Sequence, residues 1–133
     1  MKKPQKKQVM LEELVPPLHW CKLIPNGEFW NSALCWRTFN KGRKDEYTIV
    51  FPTGTIDPHD DDVPAPTCQE ILEALDEITA NPTLWKNPAC WTADCDFSGK
   101  SASNWDVREK RSKENPALAL LRLWLEAKGI KEI

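Results

Sequence analysis

The sequence predicts an α+β fold: an antiparallel sheet of four or five strands with two helices packed on one face. Three observations point to it. A strong helix start stands in the middle of the chain, a second well-marked helix lies near its end, and the segments between turn signals alternate as strands do. The 133 residues are enough for one compact domain that buries its own core.

The first helix is predicted to begin at Thr67 and to run to about Thr79. Thr67 can accept a hydrogen bond from the free backbone N–H three residues on, and Glu70 can reach back to the N–H of Thr67, which makes a capping box. The helix should end at Asn81-Pro82, because proline disfavours a helical residue before it. The apolar stripe consists of Ile71, Leu72, Leu75 and Ile78, with Glu70, Glu73, Asp76 and Glu77 outside it.

The second helix is predicted near the end of the chain. Asn115 suits the N-cap, Pro116 suits the first helical position, and Gly129 suits the position just after the last turn. Its broad apolar face is made by Ala117, Leu118, Leu120, Leu121, Trp124 and Leu125.

The first three strands are predicted over residues 18–24, 29–39 and 46–51, with turns at 25–27 and 40–43. Asn-Gly at 26–27 is a strong hairpin signal, since both residues tolerate a positive φ. Three such segments in succession predict an antiparallel meander. Its candidate core face bears Trp20, Trp30 and Trp36. Residues 52–66 contain four prolines and are predicted to be a long loop.

The fourth strand is predicted over residues 90–97, and a short edge strand around Trp105 and Val107 would be the fifth. Alternation along the fourth strand predicts one buried and one solvated face. The buried face would carry Trp91, Ala93, Cys95 and Phe97, and the solvated face Cys90, Thr92, Asp94 and Asp96.

Residues 1–16 are predicted to form a flexible basic arm, closed by Pro16-Pro17, and residues 17–133 the single α+β domain. The alternative for Val9–Val15 is a short helical turn, since its apolar residues fall at helical spacing. The basic start is followed by acidic residues and prolines instead of an apolar signal core, and no stretch approaches the length of a membrane span. A cytosolic protein with five reduced cysteines is therefore expected.

The chemistry-bearing residues favour no reaction. Asp57, His59 and Asp61 alternate in an acidic run, but the calcium-loop pattern is missing, so a solvated loop is expected. The cysteines lack the paired short spacing of zinc sites. Asp94 and Asp96 share a strand face at a separation that paired carboxylates use, but no cleft is indicated for them, so we interpret them as polar residues on a solvated face. We predict no catalytic residue, no cofactor and no metal ion.

Two binding functions remain. A surplus of large aromatics, seven Trp in this length, favours a protein-interaction surface, either for another protein or for a homodimer through the sheet edge or the Trp-bearing face. The alternative is binding of single-stranded nucleic acid by exposed Trp beside basic residues, which the net charge of -2 and the acidic residues oppose. The candidate residues for binding are Trp30, Trp36, Lys41, Arg43, Lys44, Arg108, Lys110 and Arg111.

A family resemblance rests on the second half of the chain. It comprises Val63-Pro64-Ala65-Pro66-Thr67, the amphipathic helix, the Trp-bearing strand, and the last helix from Asn115-Pro116-Ala117 to Glu126-Ala127-Lys128-Gly129-Ile130. Over roughly residues 64–130 the chain resembles small uncharacterised proteins encoded in phages, prophages and other mobile elements of gut bacteria. The resemblance implies a small α+β domain in a bacterial cytoplasm and a non-enzymatic accessory role, with an anti-defence role as one form of it, and it carries over no catalytic residue.

Overall fold

Two three-stranded antiparallel sheets and three helices make up the part of the chain that the computed structural model describes, residues 14–25, 27–38, 47–51, 62–97, 106–113 and 115–131. The α+β class is confirmed, but the prediction of one sheet with two helices is wrong. In chain order the elements are α1 Leu18–Cys21, β1 Cys35–Thr38, β2 Tyr47–Val50, β3 Val63–Pro64, α2 Cys68–Ile78, β4 Ala80–Lys86, β5 Trp91–Asp96, β6 Val107–Ser112 and α3 Pro116–Ala127.

The first sheet has the order β2-β1-β3, with Trp36 of β1 opposite Ile49 on one side and Val63 on the other. An ion pair fastens β1 to the residue before β3. Arg37 donates from Nε to Asp62 Oδ1 at 2.9 Å and from Nη2 to Oδ2 at 2.7 Å. Such a two-pronged pair fixes geometry as well as charge. It explains why Asp62, predicted to be in a loop, is buried.

The second sheet has the order β4-β5-β6. Its first strand was not predicted, because Asn81-Pro82 reads as a helix stop. The helix does stop at Ile78, and the next strand begins at Ala80. The pairing register shifts between Ala80 and Thr83, where Asn81 has a φ of 55°. Asn adopts positive φ more readily than most residues, so the same two residues that end α2 also shape a bulge in β4.

The predicted first strand, residues 18–24, is wrong because the chain forms the single-turn helix α1 there. The Pro17 carbonyl accepts hydrogen bonds from the backbone N–H of Trp20 at 3.0 Å and of Cys21 at 3.1 Å. Over only seven residues, the apolar positions fit the strand period of 2 and the helix period of 3.6 almost equally well. Here the rigid Pro16-Pro17 start favours the helical turn.

The predicted second strand is shorter than expected, because residues 27–31 form turns and strand pairing starts only at Cys35. Gly27 and Phe29 both have positive φ, 95° and 60°.

The predicted Trp core face does not exist as one surface. Trp36 is buried, Trp20 is half-buried on α1, and Trp30 is 36% exposed in the turn.

Both long helices are confirmed with their caps. Glu70 N–H donates to Thr67 Oγ1 at 3.4 Å, and Thr67 N–H donates to Glu70 Oε1 at 2.8 Å, which is the predicted capping box. Leu118 N–H donates to Asn115 Oδ1 at 2.9 Å, and Gly129 follows α3 with a φ of 75°. These are short-range interactions, so the local sequence is sufficient to specify them.

The helix α3 lies at the centre of the core, where it packs against α2, β5 and β6. One buried cluster joins it to both sheets and to α1. Val15 and Pro16, at the end of the predicted arm, are buried, and residues 1–13 lie outside the described residues. No helix in the described ranges is long and apolar enough to cross a membrane. The buried residues of α3 are Ala117, Ala119, Leu120, Leu121, Leu123, Trp124 and Leu125.

The strand β5 is confirmed, but its predicted solvated face is partly buried. Ala93 and Cys95 are buried on the predicted core face, whereas Thr92 and Asp96 are also buried on the opposite one. Thr92 lies in register between Trp85 of β4 and Arg111 of β6. Cross-strand neighbours share a face, and long side chains on both flanks shield a short one between them.

Candidate binding groove

Trp30 lies at the edge of a groove between the turn at 27–32 and the outer side of α2. The groove encloses about 380 Å³. We call it the Trp30 groove. Its volume is at the lower end of the range of about 300–1,000 Å³ that ligand sites span, so it suits side chains better than a large molecule. Its walls include Phe29, Trp30, Ser32, Glu73, Ala74 and Glu77.

The turn presents Trp30 outward because its neighbour is anchored inward. The Phe29 ring packs on the buried ring of Trp124, with 4.9 Å between centroids and a tilt of 59°. A positive φ is unusual for a bulky residue and persists only where the surroundings hold it. The aromatic contact supplies that support, and it leaves Trp30 on the solvent side.

Glu70 fixes the same turn to the start of α2. Its Oε1 accepts from the Thr67 N–H and from Ser32 Oγ, both at 2.8 Å, and its Oε2 accepts from the Ala33 N–H at 3.0 Å. The predicted capping residue therefore also clamps the turn that carries Trp30. Its carboxylate oxygens are fully engaged in these contacts, and Glu70 belongs to the frame of the groove.

The groove is acidic. Glu73 and Glu77 are exposed one helical turn apart on α2, and among the described residues Glu73 accepts a hydrogen bond only from Gln69 Nε2, at 3.0 Å. Glu77 has no hydrogen bond or ion pair within the described ranges. Glu28, at the rim, pairs with Lys128 at 3.3 Å. Two unneutralised carboxylates beside an aromatic ring attract cations and repel phosphate.

The predicted binding residues Arg108, Lys110 and Arg111 lie on strand β6. Arg108 is opposite Cys95 and Arg111 is opposite Thr92, so strand alternation turns their side chains to different faces. Arg108 pairs with Asp106 at 2.7 Å and Glu126 at 3.4 Å, and Arg111 pairs with Glu109 at 3.1 Å.

The other predicted binding residues are also dispersed. Lys110 faces the side of the sheet that carries α3, with Arg108 and away from Arg111. Trp36 is 8% exposed, so its ring faces cannot stack on a base. Lys41, Arg43 and Lys44 lie outside the described residues. Of the candidate residues that the structure describes, only Trp30 is part of the groove.

Four thiols, those of Cys21, Cys35, Cys68 and Cys95, are poor nucleophiles. Burial raises the pKa of Cys21 to about 12, and burial together with the nearby Asp62 carboxylate raises the pKa of Cys35 to about 11. Burial also raises the pKa of Cys68 and of Cys95. A thiol that stays protonated at neutral pH does not attack an electrophile, because the thiolate is the reactive form.

The two carboxylates of β5, Asp94 and Asp96, accept hydrogen bonds from residues on or next to the neighbouring strands. Asp94 accepts from Thr83 Oγ1 and, at 3.4 Å, from Trp85 Nε1. Asp96 accepts from the Asp106 N–H at 3.0 Å. Within the described ranges no group of three or more His, Cys, Asp or Glu side chains is placed to hold a metal ion, and residues 57–61 of the acidic run lie outside them.

The raised thiol pKa values give a pH-dependent stability. The unfolded thiols ionise near the ordinary value of 9.0, whereas the folded ones stay protonated to about 12 and about 11. Their contribution is complete below pH 9 and is lost as the pH rises above it, because ionisation then favours the unfolded chain. From pH 8 to pH 10 we expect a loss of about 2 kcal/mol in the free energy of unfolding, measured in urea. The variant C21A/C35A is the control, and an equally steep fall in that variant would contradict the assignment.

No protein-family model, curated protein or solved structure matches the chain. The acidic side of α2 is visible in the sequence, as is an aromatic surplus. Nothing in the sequence places Trp30 next to Glu73 and Glu77, because the turn meets α2 only through tertiary packing. Sequence reasoning therefore found the aromatic residue of the groove and missed its acidic wall.

Proposed function

We propose that this chain is a non-enzymatic accessory protein of a phage or other mobile element, which acts by binding another protein in the cytoplasm of a bacterial host through the Trp30 groove. The supporting observation is Trp30 itself, a large aromatic side chain 36% exposed at the edge of a shaped groove. Tryptophan is enriched among the residues that dominate protein interfaces. The mobile-element origin rests on the resemblance over residues 64–130.

The groove is organised before any partner arrives. Phe29 anchors the turn to Trp124, and Glu70 ties Ser32 and Ala33 to the start of α2. A binding surface that is already ordered loses less conformational entropy on association. The same contacts make Trp30 a fixed anchor.

A non-enzymatic role fits the side chains around the groove. Among the described residues that line the groove, no histidine or cysteine lies beside Glu73 and Glu77, and the Ser32 hydroxyl donates to Glu70 within the clamp. General acid–base and nucleophilic catalysis both require groups within hydrogen-bond reach of each other. The arrangement favours recognition over reaction.

The nucleic-acid alternative receives less support. A base stacked on Trp30 would bring its phosphates toward the exposed carboxylates of Glu73 and Glu77, which repel them. The Arg108 and Arg111 side chains are held in ion pairs on different faces. A homodimer with two such grooves face to face would oppose like charges, so the partner is a different protein.

Photo-crosslinking tests the proposal. Benzoyl-phenylalanine replaces Trp30 in the bacterial host. In a matched control it replaces Trp85, which lies on β4 and is 43% exposed. We expect a discrete crosslinked protein at position 30 alone, identified by mass spectrometry, and loss of its binding to purified W30A. Crosslinks that are absent at position 30, or equal at both positions, would contradict the proposal. A product of twice the chain mass would indicate a homodimer instead.

A further inference from the structure

We infer that the Trp30 groove recognises an extended, positively charged segment of its protein partner, in which two Lys or Arg side chains are separated by one residue. This inference rests on the proposed function and names the chemistry of the partner. It follows from charge, spacing and the apolar lining of the groove.

The outer side of α2 carries the negative charge of the groove. Glu73 and Glu77 are both exposed, and within the described ranges neither forms an ion pair. The nearby cation, Lys128, is paired with Glu28. Two carboxylates without a counter-charge on a preformed wall are complementary to a partner that brings two cations.

The distance between Glu73 and Glu77 sets the spacing of the two cations along the partner segment. Side chains four apart on a helix lie about 5–6 Å from each other. Alternate residues of an extended chain point the same way at about 6.6–7 Å. An extended Lys-x-Lys or Arg-x-Lys segment therefore reaches Glu73 with one side chain and Glu77 with the next, whereas two adjacent basic residues would point in opposite directions.

The apolar lining of the groove suits the methylene stems of the Lys or Arg side chains. Trp30 and Phe29 face Ala74 of α2 across the groove. Trp30 is an exposed indole, which attracts an ammonium or guanidinium group, and apolar side chains cover the methylene stems. A space of about 380 Å³ suits two such side chains, so the segment lies across the groove with its backbone outside.

The test uses fluorescence polarisation with the purified full chain and a labelled heptapeptide, Gly-Ser-Lys-Ser-Lys-Ser-Gly. One matched peptide has the two lysines adjacent, and another has both lysines acetylated. We expect the alternating peptide to bind about fivefold more tightly than the adjacent one, and the acetylated peptide to lose binding. The variant E73Q/E77Q should weaken binding about tenfold and W30A about threefold to fivefold. The control D106N/E109Q removes two carboxylates on or next to β6, away from the groove, and its affinity for the peptide should stay within about twofold of wild type.

Several results would overturn the inference. One is that the alternating and adjacent peptides bind equally well, or that neither binds at millimolar concentration. Another is that D106N/E109Q weakens peptide binding as much as E73Q/E77Q does. A third is that a labelled single-stranded oligonucleotide binds more tightly than the alternating peptide. Self-association that W30A abolishes would make a second copy of the chain the occupant. If a protein is crosslinked at position 30 but the alternating peptide does not bind, the proposed function stands and only the inference of a cationic segment is refuted. Peptide binding without any crosslinked protein would refute the proposed function instead.

Discussion

Replacement of Trp124 by alanine is expected to lower the free energy of unfolding by about 4 kcal/mol. Trp124 is 2% exposed in the middle of α3, and its ring contacts that of Phe29 at 4.9 Å. Truncation removes a large buried apolar surface, leaves a cavity that the surrounding helices cannot fill, and breaks an aromatic pair worth about 0.5–1.5 kcal/mol. Urea denaturation followed by circular dichroism measures the loss.

The control for this prediction is Trp85→Ala, which removes a side chain of the same type that is 43% exposed. We expect it to cost less than about 1 kcal/mol. If W124A does not fold, W124F keeps an aromatic ring and should show an intermediate loss. Equal destabilisation by W124A and W85A would show that α3 does not organise the core as described.

Replacement of Glu70 by alanine is expected to cost about 3 kcal/mol. The change removes half of the capping box and also the acceptor for Ser32 Oγ and the Ala33 N–H. Charge-assisted hydrogen bonds are stronger than neutral ones, and the donors left behind must find water. The turn that carries Trp30 should loosen as well, so the crosslink from position 30 should weaken in the E70A background.

Glu73→Ala is the matched control for Glu70→Ala. It removes a carboxylate from the same helix, and in the described part of the chain the only partner of that carboxylate is Gln69. Its cost should not exceed about 0.5 kcal/mol. Urea denaturation of both variants separates the two roles. A loss for E70A as small as that for E73A would mean that Glu70 is only a surface charge, and the clamp described here would be wrong.

The elements that the sequence predicted well depend on contacts within one turn of chain. The caps at Thr67 and Asn115 and the glycine at position 129 satisfy backbone groups three or four residues away, so their residue types are sufficient evidence. The antiparallel pair β1–β2 and the strand β5 follow from alternation between turn signals, although the pairing partners of β5 were not predicted. The edge strand predicted around Val107 corresponds to β6, although it is longer than expected.

The elements that were missed depend on tertiary context. Asn81 takes a positive φ that lets a strand start directly after a helix, and proline alone does not reveal this. The division into two sheets is a matter of long-range strand pairing, which local patterns do not specify. For the groove, Ser32 and Glu70 are 38 residues apart in sequence, so no local pattern connects Trp30 with the acidic side of α2.

The side chain of Asn115 also joins the two ends of the described chain. While its Oδ1 caps α3, its Nδ2 donates to the Val15 carbonyl at 2.9 Å, across 100 residues. During synthesis on the ribosome, Val15, Cys21 and Leu34 leave the exit tunnel long before α3 exists to cover them. Completion of the fold therefore awaits synthesis of α3, and until then the nascent chain exposes apolar surface of the kind that chaperones hold.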